Sequence, residues 1–441
     1  MRAHLQKLVS RRPTLSRPWT TLSRPWTPSR SLTGFPPAVG GPSSPVAVRV
    51  QSRSRLMDPF SPEELNRFTQ ICGQVTEHSD YPLSSEIAHN AVVYSGDRLR
   101  QFITNGSQSR DDIMAEVHKC LATGPGVLVI RKFVKDTDLL QRTNNVLNKI
   151  IESEREGAKG DHFSAAGNND RIWNSFQKHA VADPRSFVEY YSNVLLDMVS
   201  EAWLGPGYQL TAQVNVVRPG GKAQEPHRDY HLGFQSERTA SRFPIVSQIA
   251  SAMLTLQGAV AHTPMPLASG PTQLLPFSQQ FDHGYIAYRQ PEFVDFFHKH
   301  MVQTALDIGD AVFFNPALFH AAGDNKTKDL HRMGNLLQVS ACWSKPMETV
   351  DRNAIIRATW SDVKDYIANL QGGIDSPSSQ ALLKAICDGY SFPTNLDKDP
   401  PPADSHCPET QLDRVTRGVA EKWSDDNLNQ ALDELAAKRA A

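Results

Sequence analysis

Apolar positions fall at helical spacing early in the chain and in short β-branched runs further on. RDDIMAEVHKCL at 110–121 carries the helical spacing, TGPG at 123–126 breaks it, and VLVIRKFV at 127–134 is a short apolar run. The pattern predicts a helix followed by a strand. Residues 135–155 predict an amphipathic helix. FVEYYSNVLLDMVSEAWL at 187–204 predicts another, stopped by Gly205, Pro206 and Gly207. From 209 onward the texture changes. QLTAQVNVVRP at 209–219, SQIASAMLTLQGAV at 247–260, TALDIGDAVFFNP at 304–316 and MGNLLQVSACW at 333–343 all read as strands with turn residues between them. A helical lead-in followed by strands at such spacing predicts a β-sandwich or barrel carrying helices outside. After about residue 345 the pattern is helical again. A Pro- and Asp-rich linker at 393–408 precedes a charged closing helix.

These textures divide the chain into four parts. Residues 1–56 are expected to be disordered. Residues 57–110 form an N-terminal helical extension, in which Ser61 is placed to cap a helix with Glu64 three residues on. Residues 111–345 hold the β domain, and 346–441 form a C-terminal helical extension. Charge adds a detail at the start. The formal net charge is −1, yet residues 1–55 hold ten Lys/Arg and no acid, which leaves 36 basic and 47 acidic residues in the remainder. The acid-free, Arg- and Ser-rich start resembles a mitochondrial transit peptide, although its prolines interrupt the helix an import receptor would bind. A disordered tail or a wrongly assigned start is the other reading, so the expected location is mitochondrial or cytoplasmic. LSRPWT at 15–20 recurs at 22–27.

The rest of the composition mainly excludes. With 39% hydrophobic and 21% charged residues the bulk reads as a soluble globular protein. Its mildly acidic balance gives no footprint for nucleic acid. No run approaches the roughly 18 consecutive apolar residues of a membrane span. Five dispersed cysteines, with no CxxC pair, argue against a thiolate zinc site or a disulfide framework.

The candidate chemistry sits in PHRDYHLGF at 226–234. His227 and Asp229 are one residue apart, so at a strand end both point to one side. His320, in FFNPALFHAAGDN just past an apolar strand, is the candidate third ligand. Two imidazoles and a carboxylate make the facial triad suited to non-haem Fe(II), with three coordination positions left open. Two of these would take a chelating co-substrate and one O₂. Arg332, twelve residues beyond His320 at the start of a predicted strand, offers a planar guanidinium to the far carboxylate of a 2-oxo acid. HRD at 227–229 also occurs in protein-kinase catalytic loops, but Phe234 stands where those need Asn and no DFG follows. His298 and His300 lie on a predicted helix, where i and i+2 point apart.

The chain resembles the phytanoyl-CoA dioxygenase family over roughly 115–345. The resemblance runs from GPGVLVIRKFV through QVNVVRPGGKAQEPHRDYHLGF, SGPTQLLPFSQQ and GDAVFFNPALFHAAGDN to RMGNLLQVS. It implies a mainly β fold with flanking helices around a double-stranded β-helix, or jelly-roll, core. It implies Fe(II) bound by His227, Asp229 and His320, with 2-oxoglutarate held by Arg332. Asn215, or more weakly Gln213 on the same strand face, would face the co-substrate. The implied activity is hydroxylation of a small molecule, with O₂ consumed and 2-oxoglutarate decarboxylated to succinate and CO₂. In halogenating relatives a small residue stands at the position of Asp229, so its presence points to hydroxylation. A catalytically silent jelly-roll or cupin-like binding protein is the alternative. Neither substrate nor oligomeric state is legible.

Overall fold

A computed structural model describes residues 61–440 apart from 105, 156–168 and 393. The expectations for residues 1–56 lie outside the described residues. The described residues belong to the unit Ser54–Ala441.

Among the described residues eleven strands form two sheets. They are β1 (Glu86–Ala88), β2 (Ala91–Ser95), β3 (Val127–Arg131), β4 (Asn169–Ile172), β5 (Gln209–Val217), β6 (Thr255–Ala261), β7 (Gln273–Leu275), β8 (Val302–Gln303), β9 (Ala311–Phe314), β10 (Phe319–Ala321) and β11 (Arg332–Ser340). The larger sheet has eight strands in the order β1-β2-β3-β9-β6-β11-β5-β4, and the smaller has the order β10-β7-β8. Among the described residues only β2 and β3 pair in parallel. The core is therefore sheet-rich, and it is enclosed by fifteen α-helices among the described residues.

Period-2 alternation sorts the large sheet into two faces. Val92, Tyr94, Leu128, Ile130, Ala311, Phe313, Leu337 and Val339 enter one apolar cluster with the helices. Their strand neighbours Ala91, Val93, Val127, Val129, Val312 and Phe314 enter a second cluster with Leu274, Leu306 and Leu318. Helices thus cover one face, and the small sheet with its loops packs on the other. The outer side of the small sheet is covered in turn, where Leu275, Phe319 and Ala321 pack with Phe68, Phe281, Phe293 and Phe297.

Several boundaries differ from the sequence reading. The 57–110 extension is not helical throughout: β1 and β2 lie in it and extend the large sheet. AVVY at 91–94 is fully buried, as a strand covered on both faces must be. Residues 247–260 are not one strand. Ile245–Met253 is helical and β6 begins at Thr255; the Ala- and Ser-containing half lacks the β-branched residues that favour extension. The helix predicted over 187–204 is two, Pro184–Tyr191 and Val194–Leu204, because Asn193 caps the second by accepting from the Leu195 N–H. Ser61 occupies the predicted cap position, yet its hydroxyl donates to Glu63 and makes no capping bond. The C-terminal region is part of the core, since Ile355, Trp360, Leu383, Val415 and Leu432 join the helix-side cluster.

Behind β11, on the helix side, lies a buried polar network. Asn335 donates to the hydroxyls of Tyr190 and Tyr191. His262 joins Tyr190 at 2.9 Å and Asn144 at 2.6 Å, and His179 joins Ser186 at 2.9 Å. Burial lowers His262 to about 3 and His179 to about 4, so both are neutral in the folded protein. The unfolded chain takes up these protons near pH 6.5, and the folded one does not. The contribution to stability is complete above about pH 6.5 and shrinks as pH falls toward the folded values, by up to about 1.4 kcal/mol per pH unit for each histidine. The urea midpoint should therefore drop between pH 7 and pH 5, and less steeply in His179→Gln. Equal slopes in the two proteins would rule out this titration as a cause.

Candidate metal centre

His227 and His320 form an isolated antiparallel pair. The His227 N–H donates to the His320 carbonyl at 2.9 Å, and the His320 N–H returns the bond at 3.1 Å. On its other side His320 pairs with Leu274 of β7. The H-x-D segment is therefore a one-pair addition to the small sheet rather than the end of a longer strand, as the spacing suggested. Asp229 follows in irregular chain, its N–H bonded to the Pro316 carbonyl at 3.2 Å.

The three side chains converge. His227 Nε2 lies 3.6 Å from Asp229 Oδ1, and His320 Nε2 lies 3.3 Å from Asp229 Oδ2. All three ligand atoms fall within 4.8 Å of one another, the only such His/Cys/Asp/Glu group of three or more among the described residues. Metal–ligand bonds of about 2.1 Å put neighbouring ligands of an octahedral ion about 3 Å apart. The set thus fits a six-coordinate divalent ion after small adjustment. Its protonation fits as well. His227 Nδ1 lies 2.8 Å from the Glu225 carbonyl, and His320 Nδ1 lies 2.8 Å from the Leu318 carbonyl. A carbonyl only accepts, so the tautomer with the proton on each Nδ1 satisfies both short contacts and leaves each Nε2 lone pair for a metal. Burial drives His227 below its ordinary value, against the opposing pull of Asp229. Burial alone would raise the Asp229 carboxyl. The two imidazoles and a hydrogen bond from Gln257 outweigh it and hold the group ionised.

A cavity of about 490 Å³ opens beside these groups, against the face of the large sheet opposite the helices. Alternation places Arg332, Gly334, Leu336 and Gln338 of β11 along its floor, with Gln213, Asn215 and Val217 of β5 beside them. Arg332 is 7% exposed and donates to the Ser269 carbonyl at 2.7 Å. It has no carboxylate partner among the described residues, and burial lowers it to about 10. A buried guanidinium with only carbonyls for company is suited to an incoming anion. Asn215 sits opposite Gly334, and its Oδ1 is sealed from solvent without a hydrogen-bond partner among the described residues. Gln213 also lines the cavity, but its Oε1 accepts from Arg171 at 2.8 Å.

Two further residues shape the centre: the sequence did not single out Gln257, and it left Arg228 open between a pocket wall and a structural role. Gln257 of β6 donates to Asp229 Oδ2 at 2.6 Å. A polar residue in the apolar run LTLQGAV was the available signal. Arg228, between the two ligands, turns its guanidinium into the protein, where it is 2% exposed.

The fold and site define a class: a sheet-borne oxygenase centre with two histidines and one carboxylate beside a cavity that carries a buried cation. Residues 123–334 match the family model of phytanoyl-CoA dioxygenase (PhyH), and this domain belongs to that family. The chain is an iron- and 2-oxoglutarate-dependent dioxygenase. Relatives include "Dioxygenase trt7" of Aspergillus terreus, 24% identical over 47% of this chain and 67% of that protein. "Dioxygenase andF" of Emericella variicolor is 22% identical over 54% of this chain and 76% of that protein. Among solved structures, the non-haem α-ketoglutarate-dependent epimerase SnoN from nogalamycin biosynthesis aligns with a TM-score of 0.38 at 14% identity, over 53% of this chain and 82% of that one.

Groups that fix a ligand's orientation typically contribute a factor of 10 to 100 in metal affinity. Gln257→Leu frees one oxygen of Asp229 and should weaken metal binding by about 10-fold or more, with the thermal midpoint of the metal-free protein little changed. Titration calorimetry with a divalent metal checks this, and unaltered affinity rejects the role of Gln257.

Proposed function

We propose that this protein hydroxylates a C–H bond of a small, uncharged molecule, using a double-stranded β-helix core centred on residues 111–345. The observation that carries the reading is the convergence of His227, Asp229 and His320 beside a cavity that also receives the unpaired Arg332. His227, Asp229 and His320 hold the iron through two Nε2 atoms and a carboxylate. Bound iron(II) with 2-oxoglutarate supplies the oxidative chemistry, in which O₂ is consumed, succinate and CO₂ are released, and one oxygen atom enters the substrate.

The chain's own residues position the reactants and exclude water. Arg332 pairs with the far carboxylate of 2-oxoglutarate, and Asn215 beside it offers a carboxamide. Asp229 fills the carboxylate position, which favours hydroxylation over halogenation. The co-substrate leaves much of the cavity free. Gln338 lies six residues along β11 from Arg332, about 20 Å at strand rise, whereas a five-carbon diacid spans about 6 Å. The far end therefore belongs to the substrate. There Gln338 contributes a carboxamide, and Trp173, Phe234 and Met347 contribute apolar surface. Arg171, which reaches this end, donates to Gln213 and lies over the Trp173 ring at 5.3 Å. Such a lining suits an apolar body with hydrogen-bonding groups better than an acyl-CoA thioester, whose phosphates need cations.

Anaerobic addition of Fe(II) and 2-oxoglutarate should produce the weak visible charge-transfer band of the chelate, and its absence would sink the reading. Asp229→Ala should abolish substrate-coupled succinate formation. Arg332→Ala should raise the half-saturating 2-oxoglutarate concentration by about 100-fold, the scale of a lost buried charge pair, and that for iron far less. Equal effects on both would show that Arg332 is not the carboxylate partner. Incubation of the iron-loaded enzyme with a metabolite extract should add one oxygen mass to a neutral compound; gain on acyl-CoA species instead would overturn the substrate class.

A further inference from the structure

The segment that carries two of the three ligands has little backbone support of its own. It makes the single pair between His227 and His320 and the bond from the Asp229 N–H to the Pro316 carbonyl. Immediately after Asp229, Tyr230 and His231 both adopt positive φ, 65° and 41°. The left-handed region is disfavoured for residues with a Cβ, so such a segment keeps its place only when its surroundings impose it.

Tyr288 and Arg289 hold the far side of this stretch through the Gly233 carbonyl, and Arg228 is the side chain that anchors it between the ligands. Its guanidinium lies over the rings of Tyr285 and Phe319, 5.2 Å from each centroid. It donates to the Ser278 carbonyl at 2.6 Å and to the Phe281 carbonyl at 2.8 Å. No carboxylate pairs with it among the described residues; nearby Asp282 is paired with Arg67. The slot is shaped for it. A Cβ at Gly284 would stand 1.8 Å from the Arg228 Cζ, so Gly284 is glycine to make room, not to permit an unusual backbone angle. The same site reaches the third ligand. Phe319, whose ring lies under the guanidinium, precedes His320 in β10, and its N–H donates to the Ser278 hydroxyl at 2.8 Å. Ser278 thus accepts from Arg228 through its carbonyl and from Phe319 through its side chain.

We infer that Arg228 is a positioning residue that fastens the His227–Asp229 segment to the His320 strand, and so sets the separation of the three ligands without touching metal or substrate. This rests on the reading of His227, Asp229 and His320 as a metal centre. Cations over aromatic faces and charge-assisted bonds to carbonyls are strong when desolvated. An unpaired buried cation is also costly to keep, and an apolar replacement is often neutral or stabilising. Stability and ligand geometry should therefore separate on mutation.

The test uses the full chain with Co(II) as the probe, read by its visible d–d absorption and by affinity, beside the thermal midpoint of the metal-free protein. Arg228→Met should bind Co(II) at least 10-fold more weakly with an altered d–d spectrum, while the midpoint holds or rises. Arg228→Lys, which keeps a cation over the rings, should recover part of the affinity. Gly284→Ala displaces the guanidinium without removing the charge and should reproduce the loss. Co(II) affinity and spectrum like those of the unaltered chain, in either Arg228→Met or Gly284→Ala, overturn the proposal alone. Failure of the unaltered chain to bind Co(II) overturns the metal-centre reading and this proposal with it.

Discussion

One backbone pairing carries the centre. The reciprocal bonds between His227 and His320 join two segments far apart in the chain, one carrying two of the ligands and the other the third, so neither alone completes the set. Backbone pairing fixes the spacing of the two α-carbons, and carbonyls at 225 and 318 fix the orientation and tautomer of the two rings. The remaining freedom belongs to Asp229, which lies between the two imidazoles and is restrained by Gln257. The rest of the fold maintains this arrangement. The small sheet holds His320 from the other side, and phenylalanines from helices at 62–72 and 291–300 back that sheet.

Two buried arginines near the centre differ in what surrounds them. Arg332 projects from the large sheet into the cavity, with carbonyl partners and space for an anion. Arg228 points into the protein, between two rings and two carbonyls, with its slot closed by Gly284. A guanidinium can serve either purpose because its charge survives burial and its donors lie in a fixed plane. Surroundings, not residue type, decide whether the cation receives a ligand or holds a segment.

The helical layer has a different task. It covers the opposite face of the large sheet and draws the C-terminal region into the core. The cluster of Arg110, Asp197, Glu201 and Lys384 shows the same integration, since it links helices at 107–122, 194–204 and 377–386 by bonds of 2.8 to 3.1 Å. The sheet face left free by this packing lets alternate residues of β5, β6 and β11 share one cavity floor.

What the sequence determined by itself is local or periodic. Alternation identified β5 and β11, helical spacing identified the segments near 110 and 137, and ligand chemistry singled out His227, Asp229, His320 and Arg332. Those residues could be read because few side chains bind metals and carboxylates, and their order along the chain limits the arrangements. The AVVY strand near 91 and the true start of β6 could not be read, because short apolar runs fit helix and strand alike. Only the tertiary structure decided that Gln257 bonds Asp229 and that the Arg228 guanidinium lies between two rings and two carbonyls. Each depends on which distant segment packs beside it, and that is settled when the two sheets close on one another. The same closure decides that the H-x-D segment is a single bridged pair rather than a strand end.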